Sequence, residues 1–145
     1  MKAVVQRVQD SKLVIDGKEY SSIDKGFLVL LGVTHDDTKK EAEVLAEKIS
    51  KLRVFEDENE KMNLSLKDVN GKLLIISQFT LYADTSSGNR PSFINAAKPD
   101  YANELYEYFC DECAKNGIEV EKGKFGAHMD VSLLNDGPVT IILEK

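Results

Sequence analysis

The sequence predicts a sheet-rich α/β fold, with roughly eight strands and two helices gathered on one side of them. Three observations carry that expectation. Two apolar runs, residues 27–33 and 73–76, are too short for helices and too continuous for strands with one wet face, so both read as interior strands. Only two stretches repeat apolar residues at helical spacing. The order of strand and helix signals also lacks the regular alternation that builds a parallel βαβ sheet.

In chain order, Val4-Val5-Gln6-Arg7-Val8 and Leu13-Val14-Ile15-Asp16 read as two short strands, the second running into Gly17-Lys18 as a hairpin turn. Residues 27–33 follow as a central strand. Thr38 and Glu41 form a T-x-x-E capping box, and behind it Ala42, Leu45, Ile49 and Leu52 fall on one helical stripe. Asn70-Gly71 is a hairpin-turn signal leading into residues 72–81, a second interior strand. Residues 84–99 form a polar loop. A helix then runs from about Pro99, suited to a first turn, to Asn116, with Gly117 as its left-handed stop. Ala102, Leu105, Phe109 and Cys113 share its apolar side. Residues 118–120, 131–133 and 139–143 are strand-like and close the chain.

One domain over residues 1–145 accounts for a chain that shows no repeat, linker or low-complexity run. Hydrophobic residues at 42% and charged residues at 30% are ordinary globular composition and argue against disorder. No stretch approaches the roughly 20 apolar residues of a membrane helix, and the N-terminus lacks an apolar signal segment. The expectation is a cytoplasmic protein with no membrane partner. Cys110 and Cys113 have the C-x-x-C spacing that invites a redox or zinc reading. Both fall on a helical pattern with no second ligand pair, so two buried thiols is the preferred reading, and neither metal nor cofactor is expected. A net charge of −6 argues against tight duplex binding, because phosphate neutralisation supplies most nucleic-acid affinity.

Serine-nucleophile elbows, P-loops, H-E-x-x-H sequences and clustered metal ligands are all missing. His35 lies in an acidic loop with Asp36 and Asp37, and His128 precedes the C-terminal strands; both read as surface or structural residues. What stands out is Ser77-Gln78 and Thr80 at the end of an apolar strand. One reading is a strand leaving the core. The other is a row of donors facing a cleft. A second departure is Asn135-Asp136-Gly137-Pro138-Val139-Thr140, set between strand-like stretches where Gly-Pro ordinarily just ends a strand.

Together these segments carry a resemblance. Ser77-Gln78-Phe79-Thr80-Leu81 resembles the SQFTL motif of the D-aminoacyl-tRNA deacylases, also called D-tyrosyl-tRNA deacylases, and residues 135–140 resemble that family's NxGPVT motif. The similarity extends along the whole chain. Met1-Lys2-Ala3-Val4-Val5-Gln6-Arg7-Val8, Met62-Asn63-Leu64-Ser65, Arg90-Pro91-Ser92-Phe93 and Phe125-Gly126-Ala127-His128-Met129 stand at corresponding positions. One departure is Ser86-Ser87, where many relatives carry basic residues, leaving Arg90 as the main cation of that loop.

The resemblance implies a homodimer of a three-layer β/β/α fold with barrel-like sheets, acting at the subunit interface on the 3′ end of aminoacyl-tRNA. It implies that Gly137-Pro138 is a cis pair inserted into the other subunit's pocket, where its main chain leaves room for a D residue or glycine and none for an L side chain. Selection then rests on exclusion. The Phe79 N–H, with Ser77 or Gln78, is the candidate oxyanion donor set, and the terminal adenosine's 2′-hydroxyl is implied to assist the attacking water. Thr80 as a covalent nucleophile is the alternative, and it lacks an obvious activating base. Phe125 and Met129 are candidate walls for the terminal adenine, or else ordinary core. Arg7 and Asn135 are candidate supporting or adenosine-binding residues, with Arg7 otherwise an exposed strand residue. The expected function is editing of D-aminoacyl-tRNA and mischarged glycyl-tRNA. A hydrolase of other small esters using Thr80 or Ser77, and a non-catalytic RNA-end-binding module, stand as alternatives.

Overall fold

The computed structural model describes residues 1–145. Its organising strand, β1 (Lys2–Ile15), has partners on both edges. Its first half pairs with β3 (Gly26–Gly32) and its second half with β2 (Lys18–Ile23), while β8 (Asp130–Glu144) runs antiparallel along the opposite edge. The two short strands expected at residues 4–8 and 13–16 are therefore one. Gln9 and Asp10 are exposed, yet Asp10 still pairs with Leu134, because the ladder uses main-chain groups that polar residues also possess. The hairpin to β2 forms as expected, with Asp16 and Gly17 both at positive φ (51° and 75°).

Strands β6 (Lys72–Ser77) and β7 (Glu119–Lys122) extend the sheet in the order β2-β1-β3-β6-β7, β6 lying parallel to both neighbours. At the ends of that order the Ser21 hydroxyl on β2 donates to the Lys122 carbonyl on β7 at 3.0 Å. The sheet thus curls into a nearly closed barrel. Together with two helices it makes a mixed α/β architecture, as the sequence predicts.

The unbroken apolar runs serve two cores at once. Phe27, Val29 and Leu31 of β3, with Leu73 and Ile75 of β6, join a cluster of 24 buried residues beneath the helices. Leu28, Leu74 and Ile76 point the other way, into a cluster of 6 inside the barrel with Val8, Leu13 and Ile23. Alternation sends each strand's side chains to both faces, and both faces are covered. Each such side chain contributes about 1.5–3 kcal/mol on burial.

Helices α1 (Lys39–Lys51) and α2 (Pro99–Lys115) cover the outer face. The Thr38–Glu41 capping box closes reciprocally: the Lys40 N–H donates to Thr38 Oγ1 at 3.2 Å and the Thr38 N–H to Glu41 Oε2 at 2.7 Å. On α2, Pro99 is the first helical residue, and Gly117 (φ 83°) follows the cap. Cys110 and Cys113 are free and buried on its inner side. Burial pushes the Cys110 thiol up to about 12, so it stays protonated at neutral pH. No helix is long and apolar enough to cross a membrane.

Two expectations need correction here. Asn70-Gly71 does not join a hairpin, because both neighbours of β6 are parallel and β5 (Met62–Leu64) pairs instead with β4 (Phe55–Glu56). The turn is closed locally by Gly71 N–H donating to Leu66 O at 2.8 Å. Residues 131–133 and 139–143, read as separate strands, are the two ends of the single strand β8.

Candidate active site

Strand β6 ends at Ser77, opposite Leu31 of β3. Gln78 N–H donates one further bond to Leu31 O at 2.8 Å, and the chain then coils into a single 3-10 turn over Phe79–Tyr82. The strand expected to reach residue 81 stops here, where its partner β3 also ends, at Gly32. A Cβ on Gly32 would lie 3.0 Å from Leu81 Cβ and 3.2 Å from Tyr82 Cδ2, so its absence gives the turn room to fold back over the strand end. Ser77 and Gln78 are half-buried at this edge, whereas Phe79 and Thr80 are exposed.

The turn forms one wall of a cavity of about 680 Å³. A second wall is the segment entering α2, with Phe93 and Lys98; a third is the segment before β8, with Phe125, His128 and Met129. Ser77, Gln78 and Phe79 complete the set of residues that matter here. Twelve of the 18 lining residues are hydrophobic, so the cavity suits a ligand that presents mainly apolar or aromatic surface. Phe79 and Phe93 meet edge to face at 5.0 Å, and with exposures of 52% and 38% they leave ring surface at the mouth for a flat partner. The Phe125 wall is buttressed from behind. Tyr106 donates its hydroxyl to Ile75 O at 2.6 Å and accepts from Gly123 N–H at 3.1 Å, tying β6 to the chain just before Phe125. Burial pushes the pKa of that hydroxyl up, so it stays a donor.

No side chain positioned as a general base touches Ser77 or Thr80. The hydrogen-bond partner of the Thr80 hydroxyl is the Gln78 amide, whose Nε2 donates to it at 2.5 Å, and an amide cannot take its proton. His35 Nε2 engages Ile94 O at 2.5 Å, and His128 Nε2 lies 3.3 Å from Asp130 Oδ1. Thr80 does not line the cavity. His128, read from sequence as a surface or structural residue, does.

The second motif occupies a different part of the molecule. Along the β1–β8 ladder Gln6 pairs with Thr140 and Val8 with Asn135, so residues 136–139 have only Arg7 opposite them. The surplus bulges outward, and Gly137 and Pro138 are exposed. Their peptide bond is cis, and Gly137 has φ 124°, a region open to glycine. Arg7 is not the exposed strand residue of one reading: it is 3% exposed. Its Nε donates to Asp136 O at 3.0 Å and Nη1 to Val54 O at 2.6 Å, with Glu56 Oε1 at 3.3 Å. Asn135 is exposed beside the bulge. Ser77, Gln78, Phe79, Phe125 and Met129 are thus brought together around the cavity, while Arg7, Asn135, Gly137 and Pro138 gather elsewhere in the same chain.

Val54 and Glu56, which complete the Arg7 network, carry no motif and have no signal in the sequence. Lys98 was equally silent, being one lysine among many ahead of a helix. Phe93 lay within a segment noted only for resemblance.

A family model for D-Tyr-tRNA(Tyr) deacylase matches residues 4–144. The D-aminoacyl-tRNA deacylase of Exiguobacterium sibiricum is 59% identical over 145 residues, covering 100% of both chains. Among solved structures, one named c-Myc DNA Unwinding Element Binding Protein is 43% identical, with a TM-score of 0.93 over 100% of this chain and 99% of its own. Another, named as a probable eukaryotic D-amino acid tRNA deacylase, shares the fold at a TM-score of 0.84 over 98% of this chain and 97% of its own, with 16% identity. The chain belongs to the D-Tyr-tRNA(Tyr) deacylase family, and it is an enzyme of the ester-hydrolase kind.

Proposed function

We propose that residues 1–145 act as one deacylase domain that cleaves the ester of D-aminoacyl-tRNA, and of mischarged glycyl-tRNA, to free amino acid and tRNA. It works as a homodimer in the cytoplasm, on the 3′ end of its substrate. The observation that carries this reading is the separation of the two motifs. Gly137-Pro138 is exposed on a bulge outside its own chain's cavity and is braced from inside by Arg7. A segment held in that way is suited to close a second subunit's cavity, with its main chain as the wall.

In this scheme the carbonyl oxygens of the exposed Gly137-Pro138 pair accept from the substrate's α-ammonium, and the main chain occupies the direction an L side chain would take. A D side chain points away from it, and glycine has none to exclude. Discrimination by steric exclusion tolerates many amino acids, because nothing reads the D side chain itself. Phe79 and Phe125 offer faces for the terminal adenine, and Met129 a polarisable edge.

Hydrolysis then asks little of the protein. Water attacks the ester carbonyl carbon, and the bond to the ribose 3′-oxygen breaks as that oxygen regains a proton. The Phe79 N–H opens the 3-10 turn with no side-chain cap from Gln78, and it is the donor for the developing oxyanion. The terminal adenosine's 2′-hydroxyl moves the proton, in keeping with the absence of a protein base hydrogen-bonded to Thr80, whose hydroxyl partner is the Gln78 amide. The scheme uses neither metal nor cofactor.

The test is release of amino acid from D-Tyr-tRNA and L-Tyr-tRNA by purified protein. Release from the D substrate alone is expected. Equal release from both would end the exclusion mechanism, and activity confined to RNA-free esters would favour a Thr80 or Ser77 nucleophile.

A further inference from the structure

Lys98 is the one permanently charged side chain on the wall of the cavity, His128 being the other titratable group there. Its ammonium takes part in none of the ion pairs of the molecule. Lys98 is exposed, so the lack of an ion pair is ordinary; what sets it apart is its place as the one lysine or arginine on the wall of an apolar cavity, in a chain of net charge −6. The helix does not account for it either. Lys98 is the N-cap of α2, provides no side-chain cap, and sets its charge at the positive end of the helix dipole, with Asp100 the acidic residue of that first turn. A ligand with negative charge would account for it.

Resting on the editing reading above, the chemistry of the substrate narrows which charge that is. In an aminoacyl ester the carboxyl is esterified and the α-amino group is positive, so the amino-acid end carries no anion. The negative charges nearest the ester are the phosphodiesters of the RNA. We propose that Lys98 binds the phosphodiester joining the terminal nucleotide to the one before it, with the terminal nucleoside in the apolar cavity. This assigns the substrate a direction. The phosphate lies at the α2 end, and the ester lies at the Ser77–Phe79 wall, where a lysine would otherwise repel the α-ammonium. The same contact distinguishes an RNA end from a free aminoacyl nucleoside, a discrimination that the apolar walls cannot make.

The experiment compares deacylation of D-Tyr-tRNA with that of phosphate-free 3′-O-(D-tyrosyl)adenosine, using wild-type, Lys98→Gln and Lys98→Arg proteins. Lys98→Gln is expected to raise KM for the tRNA roughly two- to fivefold relative to the adenosine ester, the size of one solvent-exposed ion pair. Lys98→Arg should restore the wild-type preference. The slope of log(kcat/KM) against log salt for D-Tyr-tRNA should become shallower by about 0.7 in Lys98→Gln, as for one lost phosphate contact on a single strand. An unchanged preference, or an equal loss on both substrates, in a wild-type protein active on D-Tyr-tRNA overturns the assignment of Lys98 and leaves the editing reading standing. A wild-type protein that releases no D-tyrosine removes both.

Discussion

Arg7 Nε lies 3.0 Å from the carbonyl oxygen of Asp136, which joins a buried cation directly to the residue before the exposed Gly137-Pro138 pair. The other end of the guanidinium is held by Val54 O at 2.6 Å. The fork is therefore fixed at both ends, and its planar geometry passes that fixity to the bulge.

Arg7→Met should be destabilising by on the order of 2–4 kcal/mol, because the Val54 and Asp136 carbonyls lose their donor. Urea unfolding measures the loss. Arg7→Lys should recover part of the stability and less of the D-Tyr-tRNA turnover, since a point charge cannot hold two acceptors in a fork. A wild-type unfolding midpoint in Arg7→Met would show that the network is dispensable.

Gly137→Ala places a Cβ 3.0 Å from Val139 Cγ2 and 3.1 Å from Arg7 Nη2, at φ 124°. An alanine held at that φ costs about 1–3 kcal/mol, so the bulge should shift to relieve it. Turnover of D-Tyr-tRNA is expected to fall about tenfold or more, the effect of 1.4 kcal/mol on a barrier. Undiminished turnover in this variant would remove Gly137 from the selector.

Thr80→Ala deletes a hydroxyl whose partner is the Gln78 amide, outside the cavity lining. The variant should keep activity within about threefold of wild type, in line with losing one exposed hydrogen bond. A drop of several orders of magnitude, or a trapped acyl-enzyme in the wild type, would restore Thr80 as a nucleophile.

Cys110 has its pKa raised from 9.0 to about 12, first by burial and then by the nearby Glu107 charge. The folded state holds this proton more tightly than the unfolded chain does. Its contribution to stability is therefore complete below pH 9 and is lost as pH rises from 9 towards about 12. Thermal melts across that range should show stability falling in wild type, with a shallower fall in Cys110→Ala. Native protein at pH 7 should also resist iodoacetamide until unfolded; rapid alkylation of the folded chain would contradict the burial.

Much of the architecture was legible in local patterns. Residues 27–33 and 73–76 announced interior strands because nothing polar interrupted them, and both strands do feed two cores. Thr38 with Glu41, and Pro99 with Gly117, marked helix ends because capping is a local matter of a few neighbouring residues. Strand lengths were less legible. The polar Gln9-Asp10 looked like a break in β1, and Ser77-Gln78-Phe79 like more strand, because the partners that continue or end a ladder lie far away in sequence. For the site, the strings around Ser77 and Gly137 could be recognised, whereas Lys98, Val54 and Glu56 belong to no local pattern.

Composition and periodicity, acting through side-chain burial and backbone preference, were enough to specify a sheet-rich α/β chain with two helices and two unusual polar segments. Tertiary structure alone decided that those segments part company, one walling a cavity and the other bulging outward over a buried Arg7. The reason is that a bulge, a cavity wall and a buried hydrogen-bond fork all depend on register between residues far apart in sequence, as with Arg7 and Val54 at a separation of 47 and Arg7 and Asp136 at 129, and no local pattern records that register.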